Sequence, residues 1–359
     1  MSFSRNKIIR PNIQRMHGYV PGEQPQGKQY IKLNSNENPY PPSPHVTQAL
    51  QQALSADLRL YPDPVANRLR DKAAAVYGLK REQILVGNGS DDLLTMLMRT
   101  CVGPGDRVAY PVPTYSLYDE LVAMQDGHIV RVPFPDDFSL PSQLADVEAK
   151  LTILCHPNAP SGTMPPLAQV EDLAQRVRGI LLIDEAYIDF ADETALPLVH
   201  KYEHVVILRT FSKSFSLAGM RVGLAFGHPE FIKELLKVKD SYNVNRLSII
   251  AATAALEDYA WMQQHVAKIR ATRTRLTNAL REFGYVVYDS HTNFVLTRKA
   301  GVDQEPVYHG LKGQGVLVRY FSLPDLTDCL RITVGTDEEI DTLLAAMQHL
   351  SDRQHEYTT

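Results

Sequence analysis

Short apolar runs alternate with amphipathic, helix-like stretches over most of this chain. A helical stretch from Val65 to Tyr77 precedes an apolar run, a glycine-rich turn and a second helical stretch from Asp91 to Cys101. Runs this short and this apolar are typical of strands buried on both faces, as in a parallel sheet flanked by helices. The predicted strands are Ile84 to Val86, Arg107 to Tyr110, Ile129 to Val132, Leu151 to Cys155, Ile180 to Ile183, Val205 to Leu208 and Val222 to Ala225. They predict an α/β domain with a mostly parallel, seven-stranded sheet.

The pattern changes after a long predicted helix from about Ala251 to Phe283. A smaller α+β set follows, which closes with a helix from Asp337 to Leu350. Its predicted strands are Tyr285 to Tyr288, Asn293 to Leu296, Val316 to Val318 and Leu330 to Val334. We therefore predict a large domain over residues 46–265 and a small C-terminal domain over residues 266–359.

The first 45 residues are rich in Pro, Gly and Asn. The run from Asn34 to Pro44 contains four prolines and cannot form a regular helix or a central strand. We predict an extended N-terminal arm, residues 1–45, that packs on the small domain, and a solvated chain end from Ser351 to Thr359.

Composition limits the classes of function. A chain of 359 residues with a net charge of −4 and 22% charged residues is enzyme-sized and is not suited to a nucleic-acid partner. The odd cysteine count, without metal-ligand spacing, fits a reducing compartment better than a disulfide framework. The basic N-terminus lacks the apolar run of a secretory signal, and no stretch has the roughly 20 apolar residues of a membrane span. These features predict a soluble, cytoplasmic protein without a bound metal.

Polar motifs stand directly after four of the predicted strands, where an α/β sheet binds its ligands. They are Gly87-Asn-Gly-Ser-Asp91, His156-Pro-Asn-Ala-Pro-Ser-Gly162, Asp184-Glu-Ala-Tyr187 and Arg209-Thr-Phe-Ser-Lys-Ser214. Taken singly, each motif has a structural explanation. Ser90 is a good helix N-cap, Asn158 can close a turn, and Lys213 can be a solvated surface lysine.

Together, the motifs carry complementary groups for one cofactor, pyridoxal phosphate. This cofactor needs a primary amine for its aldehyde, a carboxylate for its ring nitrogen and a cradle for its phosphate. Lys213 supplies the amine and Asp184 the carboxylate. Arg221 can contact phosphate in bidentate fashion, and Ser90 begins a helix whose positive end attracts anions.

Residues Ser212 to Arg221 resemble the lysine signature of fold-type I aminotransferases, and specifically of the histidinol-phosphate aminotransferase branch. Further matching segments cover nearly the whole chain. They are Leu33 to Pro39, Leu60 to Asp63, Gly87 to Asp92, Pro113 to Ser116, Asp184 to Tyr187 and Cys329 to Gly335. The resemblance implies the fold-type I architecture and the transfer of an amino group from histidinol phosphate to 2-oxoglutarate in histidine biosynthesis.

The resemblance also implies a role for each site residue. Lys213 would hold the cofactor as a Schiff base and shuttle the proton, with Asp184 and Tyr187 as the other catalytic residues. The cofactor-binding residues would be Gly89, Ser90, Asp91, Tyr115, Asn158, Asp184, Tyr187, Thr210, Ser212, Lys213 and Arg221, with Tyr61 from the second subunit of a homodimer. Arg331 and Arg319, helped by Tyr19 and Asn36, would bind the substrate anion, because a planar guanidinium accepts phosphate and carboxylate alike.

One segment departs from the family pattern, which commonly reads Asn-Pro-Asn-Asn-Pro-Thr-Gly. Here His156 and Ala159 replace two of those asparagines, while Asn158 remains. The replacements are either drift at positions behind the site or a sign of altered substrate choice.

Three alternatives stay open at this stage. An aromatic aminotransferase or a threonine-phosphate decarboxylase would carry nearly the same lysine, aspartate and arginine set. A non-catalytic sensor built on the same scaffold is the third, although such regulators usually carry a DNA-binding domain and the arm is too short and irregular for one.

Overall fold

The computed structural model describes residues 8–19, 22–25 and 29–356. Parts of the predicted arm and the last residues of the predicted chain end therefore lie outside the described residues. The strands are β1 Ile31–Lys32, β2 Ile84–Gly87, β3 Arg107–Val112, β4 His128–Pro133, β5 Leu151–Cys155, β6 Ile180–Asp184, β7 Val205–Thr210, β8 Gly223–Phe226, β9 Val286–Val287, β10 Phe294–Arg298, β11 Val316–Leu317, β12 Arg319–Tyr320 and β13 Cys329–Thr333.

The α-helices lie mostly between these strands. They are α1 Pro11–Arg15, α2 Pro44–Ala53, α3 Asn67–Tyr77, α4 Ser90–Cys101, α5 Leu117–Met124, α6 Leu167–Arg176, α7 Leu198–Lys201, α8 Pro229–Val238, α9 Arg246–Glu257, α10 Tyr259–Glu282, α11 Glu305–Gly313 and α12 Asp337–Glu356. No helix among the described residues is long and apolar enough to cross a membrane.

The large sheet contains all seven predicted strands, in the order β2-β8-β7-β6-β5-β3-β4. The strands β3 to β7 run parallel, and β8 is antiparallel to both of its neighbours. β5, β7 and β8 are buried at every position, which is why they read as apolar runs rather than as alternating patterns. The prediction of a mostly parallel α/β sheet is confirmed.

The orientation of β8 matters for the site. Its first residue, Gly223, lies opposite both Thr210 at the end of β7 and Gly87 at the end of β2. The segment that enters β8 therefore lies at the edge of the sheet where the other strands end. Arg221 lies at that edge because it precedes β8, whereas the polar strand-end motifs follow their strands.

The long helix predicted from Ala251 to Phe283 is wrong as one element. The structure has α9 and α10, with Asp258 between them in a non-helical conformation. Asp258 accepts a hydrogen bond from the hydroxyl of Ser43 at 2.5 Å. Helical periodicity continues across this break, so the pattern could not show it; the partner of Asp258 lies 215 residues away.

The second sheet is four-stranded and antiparallel, in the order β12-β13-β10-β9. The predicted strand Val316 to Val318 divides at Val318: β11 pairs with the arm strand β1, and β12 joins the second sheet. A run of apolar residues does not reveal such a change of partner. The predicted domain boundary near residue 265 falls inside α10 and stays a prediction.

The prediction that the arm is extended holds only in part, because the arm contains a helix. Its α1 is a short helix that begins at Pro11, where proline is tolerated because the first turn of a helix needs no amide donor. The Asn12 side chain donates to the carbonyls of Ala123 and Met124 at the end of α5, whereas β1 pairs in parallel with β11. The arm thus contacts the α5 region of the large sheet as well as the C-terminal part of the chain.

Candidate active site

The strand-end motifs surround one cavity of about 660 Å³. Asp184 ends β6, Thr210 ends β7 and Cys155 ends β5, and all three line it. The arm and the second sheet close the other side through Asn34, Tyr19 and the arginines of β12 and β13. Residues more than 150 positions apart therefore share one concave site, as expected for an α/β sheet.

Lys213 lies just beyond the end of β7 and its side chain reaches the cavity. Its Nζ lies 3.4 Å from the Ser35 carbonyl oxygen and 5.5 Å from the centre of the Tyr187 ring. Burial, together with the positive charge of Arg331, lowers the pKa of Lys213 to about 8. A fraction of this amine is therefore neutral near pH 7.5 and able to act as a nucleophile or base.

Asp184 is 3% exposed at the base of the cavity. Its Oδ2 accepts the Tyr118 hydroxyl at 2.7 Å, and its Oδ1 accepts the Ala186 amide at 3.2 Å. Burial raises the pKa of Asp184 to about 6, although both hydrogen bonds oppose that rise. A carboxylate held this way is well suited to a cationic partner in the cavity, which would restore its charge.

An anion cradle forms where α4 begins. Ser90, Asp91, Thr210, Ser212 and Arg221 all line the cavity there. Arg221 Nη1 donates to the Ser212 hydroxyl at 3.1 Å, and the Thr210 hydroxyl donates to the same oxygen at 3.0 Å. The helix N-terminus adds amide donors and a positive dipole end.

Gly89 shapes this cradle from behind rather than lining it. It has φ +88°, and a Cβ there would lie 2.6 Å from Arg221 Nη2. Gly223 is just as tight, since its Cβ would lie 2.6 Å from the Ser90 amide nitrogen. Only glycine permits these approaches, so the turn and β8 come close enough to surround one small anion.

Tyr115 and Tyr187 line the cavity, but Asn158 is not part of its wall. The Asn158 side chain accepts the Thr114 hydroxyl at 2.9 Å and donates to Ser161 at 2.9 Å. The Tyr187 hydroxyl accepts a hydrogen bond from Asn36 at 2.9 Å. The structure thus places Asn158 one side chain behind the cavity.

Two arginines face each other at the far side of the cavity. Arg319 and Arg331 are direct register partners across β12 and β13, and both line the cavity. Like charges at this position destabilise a sheet unless an anion lies between them. The buried Nε of Arg331 has no hydrogen-bond partner among the described residues.

Arg331 is held by its surroundings. Its Nη2 donates to the Asn34 carbonyl at 3.1 Å, and its guanidinium carbon lies 5.1 Å from the ring of Phe294 and 5.6 Å from that of Phe321. Burial and the charge of Arg319 lower the pKa of Arg331 from its ordinary value. Because its position is fixed and its buried Nε is left without a partner by the described residues, Arg331 is suited to bind an anionic ligand.

The profile of the aminotransferase class I and II family matches residues 28–347, most of the chain. The chain belongs to this family. This aminotransferase is 46% identical over 344 residues to histidinol-phosphate aminotransferase 1 of Trichormus variabilis, covering 95% of this chain and 98% of the relative. It is 43% identical to the histidinol-phosphate aminotransferase of Citrifermentans bemidjiense, covering 95% and 98% of the two chains.

Solved structures agree with this family. The histidinol-phosphate aminotransferase of Sinorhizobium meliloti, determined in complex with pyridoxal-5'-phosphate, superimposes with a TM-score of 0.87 at 29% identity and covers 97% of this chain and 99% of that one. An aspartate aminotransferase of Thermus thermophilus reaches a TM-score of 0.80 at 21% identity, covering 96% and 99%, and so supports the fold alone. The predicted fold-type I architecture is confirmed.

The aminotransferase brings most of the predicted site residues together. Those that line the cavity are Tyr19, Asn36, Ser90, Asp91, Tyr115, Asp184, Tyr187, Thr210, Ser212, Lys213, Arg221, Arg319 and Arg331. Tyr61 does not reach it: this residue is 77% exposed and stacks on Tyr242 with ring centres 4.4 Å apart. Its contact across a subunit interface stays a prediction.

His156 and Ala159 differ in position. His156 is fully buried, with its Nε2 3.1 Å from the Pro165 carbonyl oxygen, and does not line the cavity. Ala159 does line it. Of the two replacements, only Ala159 is placed to contact a ligand in this cavity.

Two contributors were missed in the sequence. Tyr118 carries the hydroxyl that holds Asp184, three residues after the predicted Tyr115 and on the same side of the α5 entry. The Asn34 carbonyl that fixes Arg331 belongs to the arm motif but offers no side-chain signal. The short spacing from Tyr115 could have marked Tyr118 as a neighbour of the site, but not as the partner of Asp184. Nothing in the sequence reports a backbone contact.

Proposed function

We propose that this aminotransferase uses pyridoxal phosphate to transfer the amino group of L-histidinol phosphate to 2-oxoglutarate, giving imidazole acetol phosphate and glutamate in histidine biosynthesis. The names of the relatives at 43–46% identity support this substrate. The observation that carries the proposal is the facing pair Arg319 and Arg331 in the cavity that contains Lys213.

The residues present fit the cofactor. Lys213 offers a partly neutral amine, Asp184 a buried carboxylate, and the cradle a set of phosphate donors. The close approach at Gly89 leaves Arg221 beside the helix N-terminus, where phosphate binds best. When bound, pyridoxal phosphate supplies a ring that accepts electrons from the substrate α-carbon.

The protein's own groups carry the proton transfers. Lys213 Nζ, with a pKa of about 8, takes the proton from the α-carbon of the amino donor. In the half-reaction with 2-oxoglutarate, it returns a proton to the α-carbon of the new amino acid. Asp184 would keep the ring nitrogen of the bound cofactor protonated by charge pairing, and the Tyr118 hydroxyl orients this carboxylate. Tyr115 would stack against the bound ring and Tyr187 would face its phenolic oxygen, whereas Asn158 lies behind the cavity wall and would support that side of the site through the Thr114 hydroxyl.

The arginine pair explains how one site accepts two unlike substrates. Histidinol phosphate carries one phosphate, whereas glutamate carries two carboxylates. We assign the phosphate, and the α-carboxylate of glutamate, to Arg331, with Arg319, Tyr19 and Asn36 completing the anion site. A planar guanidinium hydrogen-bonds both anions with the same fork of donors.

We also propose a homodimer in which Tyr61 contacts the cofactor phosphate of the other subunit, and a cytoplasmic location. The side chain of Tyr61 is exposed in the single chain, together with Leu58 and Leu60, which favours burial against a second copy.

The test uses the purified protein with histidinol phosphate and 2-oxoglutarate, followed by glutamate production. We expect a visible cofactor absorbance, turnover on this pair, and a borohydride-fixed mass addition on Lys213. The Lys213→Ala variant should bind cofactor without fixation and lose at least about a thousandfold in turnover.

Other outcomes would redirect the proposal. Carbon dioxide release without glutamate would indicate a phosphate-ester decarboxylase. Faster turnover of tyrosine or phenylalanine than of histidinol phosphate would indicate an aromatic aminotransferase. Retention of full turnover by Lys213→Ala would end the catalytic assignment.

A further inference from the structure

Four acidic residues line the cavity: Asp91, Glu120, Asp184 and Glu305. Asp91 lies 3.5 Å from Arg221 Nη2, Asp184 accepts the Tyr118 hydroxyl, and Glu305 lies 3.8 Å from the Nε2 of His309. Glu120 has no hydrogen bond or ion pair within residues 8–19, 22–25 and 29–356. Glu120 therefore presents a carboxylate, without a partner in the described part of the chain, to a cavity whose arginines suit it to anions.

The phase of α5 directs Glu120 inward. Ser116, which precedes the helix, and Glu120 stand four residues apart, so they share one face, and both line the cavity. The adjacent Asp119 points elsewhere, since it accepts the Tyr110 hydroxyl and pairs with Arg131. The orientation of Glu120 is thus set by the helix rather than by chance on a mobile loop.

Aromatic rings also line the cavity. Tyr115 follows β3 and Tyr19 comes from the arm, with ring centres 6.0 Å apart in an edge-to-face arrangement. Both line the cavity, as Glu120 does. A cavity lined by rings and a carboxylate suits a flat ligand with an N–H donor or a positive charge.

The Glu120 carboxylate repels every anion that enters this cavity and so lowers its affinity for them. A favourable contact between this carboxylate and one substrate would offset that repulsion. Glutamate and 2-oxoglutarate offer it no cation apart from the reacting amine. Histidinol phosphate carries an imidazole ring on the branch opposite its phosphate, with an N–H donor at any pH and a full charge in acid.

We propose that Glu120 accepts a hydrogen bond from the imidazole N–H of histidinol phosphate and makes the site selective for this substrate. The inference rests on the proposed function and assigns to the same site a further specificity residue. Arg331 then binds the phosphate of histidinol phosphate or the α-carboxylate of glutamate. Glu120 recognises the imidazole ring, which only histidinol phosphate has.

The test compares the two half-reactions of the cofactor-loaded enzyme by its absorbance change. Glu120→Gln keeps the side-chain shape but removes the charge. We expect the rate constant divided by the dissociation constant to fall about tenfold or more for histidinol phosphate and to change less than about twofold for glutamate. Calorimetric titration with histidinol phosphate, on the non-reacting Lys213→Ala background, should show a similar loss of binding affinity.

The pH dependence gives a second readout. Imidazole gains its charge below about pH 6.5, so the loss in Glu120→Gln should be larger at pH 6 than at pH 8. The control is Glu148→Gln, the same substitution at an exposed position that does not line the cavity. It should leave both half-reactions unchanged.

The outcomes separate this inference from the proposed function. Equal losses for glutamate and histidinol phosphate, or no loss for either, would overturn the role of Glu120. An unchanged glutamate half-reaction also shows that the variant is folded. Failure of the unmodified enzyme to react with histidinol phosphate would instead overturn the proposed function.

Discussion

At the residue scale, the site contains charged groups whose charges and hydrogen bonds the protein alone does not satisfy. Arg319 and Arg331 face each other across two strands, and the buried Nε of Arg331 has no partner among the described residues. Asp184 is a buried carboxylate that no cation within residues 8–19, 22–25 and 29–356 contacts. Such arrangements cost folding free energy and are tolerated where a ligand supplies the missing charge.

The charge and shape of Arg331 should both matter. Arg331→Lys keeps the charge but loses the planar fork, so we expect kcat/KM to fall about a hundredfold for histidinol phosphate and for glutamate alike. Arg270→Lys is the matched control, because Arg270 forms a surface pair with Asp192. Steady-state kinetics on both substrates measures this; a loss confined to one substrate would contradict a shared anion site.

Asp184 should reduce the stability of the cofactor-free protein. Its folded pKa of about 6 lies above the ordinary 3.8, so the folded state binds more protons between these values and its stability falls as pH rises through that window. Asp184→Asn should therefore raise the free energy of unfolding at pH 8 by about 2 to 3 kcal/mol, and by less near pH 4. The Tyr118 hydroxyl can rotate to accept from the new amide.

Urea unfolding of the cofactor-free variants at both pH values checks this expectation. The exposed Asp146→Asn is the control and should change little. The same Asp184→Asn variant should lose at least about a hundredfold in turnover, because the amide carries no charge for the ring nitrogen. A destabilised variant at pH 8 would mean that the carboxylate has a partner other than the cofactor.

At the element scale, the phosphate cradle depends on how tightly three segments meet. The end of β2, the start of α4 and the start of β8 approach each other through Gly87, Gly89 and Gly223. Local patterns predicted the strands and the helix. The meeting of the segments depends on the antiparallel β8, whose neighbours β2 and β7 are far from each other in the chain.

Gly89→Ala tests that approach. The new Cβ would lie 2.6 Å from Arg221 Nη2 and would push that side chain away. The alanine would also have to adopt a φ of +88°, which is unfavourable for a residue with a Cβ. We expect the dissociation constant of pyridoxal phosphate to rise about tenfold or more. Gly105→Ala is the control: it has φ +79° but open space, so it should lose stability without losing cofactor affinity. Equal cofactor affinity in the two variants would exclude a role for the tight approach.

At the scale of the whole molecule, one chain encloses most of the cavity but leaves Tyr61 outside it. Tyr61 and Tyr242 stack on the surface beside the exposed Leu58 and Leu60. The proposed homodimer would bring Tyr61 to the cofactor phosphate of the second subunit. The family resemblance of the sequence predicted that contact.

A complementation experiment decides between contact within a subunit and contact across two. Lys213→Ala and Tyr61→Ala should each have low activity alone. If Tyr61 acts across the interface, refolding the two variants together should restore activity, because each mixed dimer has one site with both residues intact. Co-refolded protein no more active than its components would place Tyr61 outside the other subunit's site.

The sequence by itself determined the seven strands of the large sheet, the helices next to the first of them and the chemistry of the strand ends, because burial on both faces and the need for a specific amine and carboxylate leave local marks. It could not determine the break at Asp258 or the division of the strand at Val318, since each depends on a partner distant in the chain. Tertiary structure alone placed Arg319 opposite Arg331, Tyr118 beside Asp184 and Glu120 in the cavity. Register and helix packing set those positions, and both are properties of the whole fold.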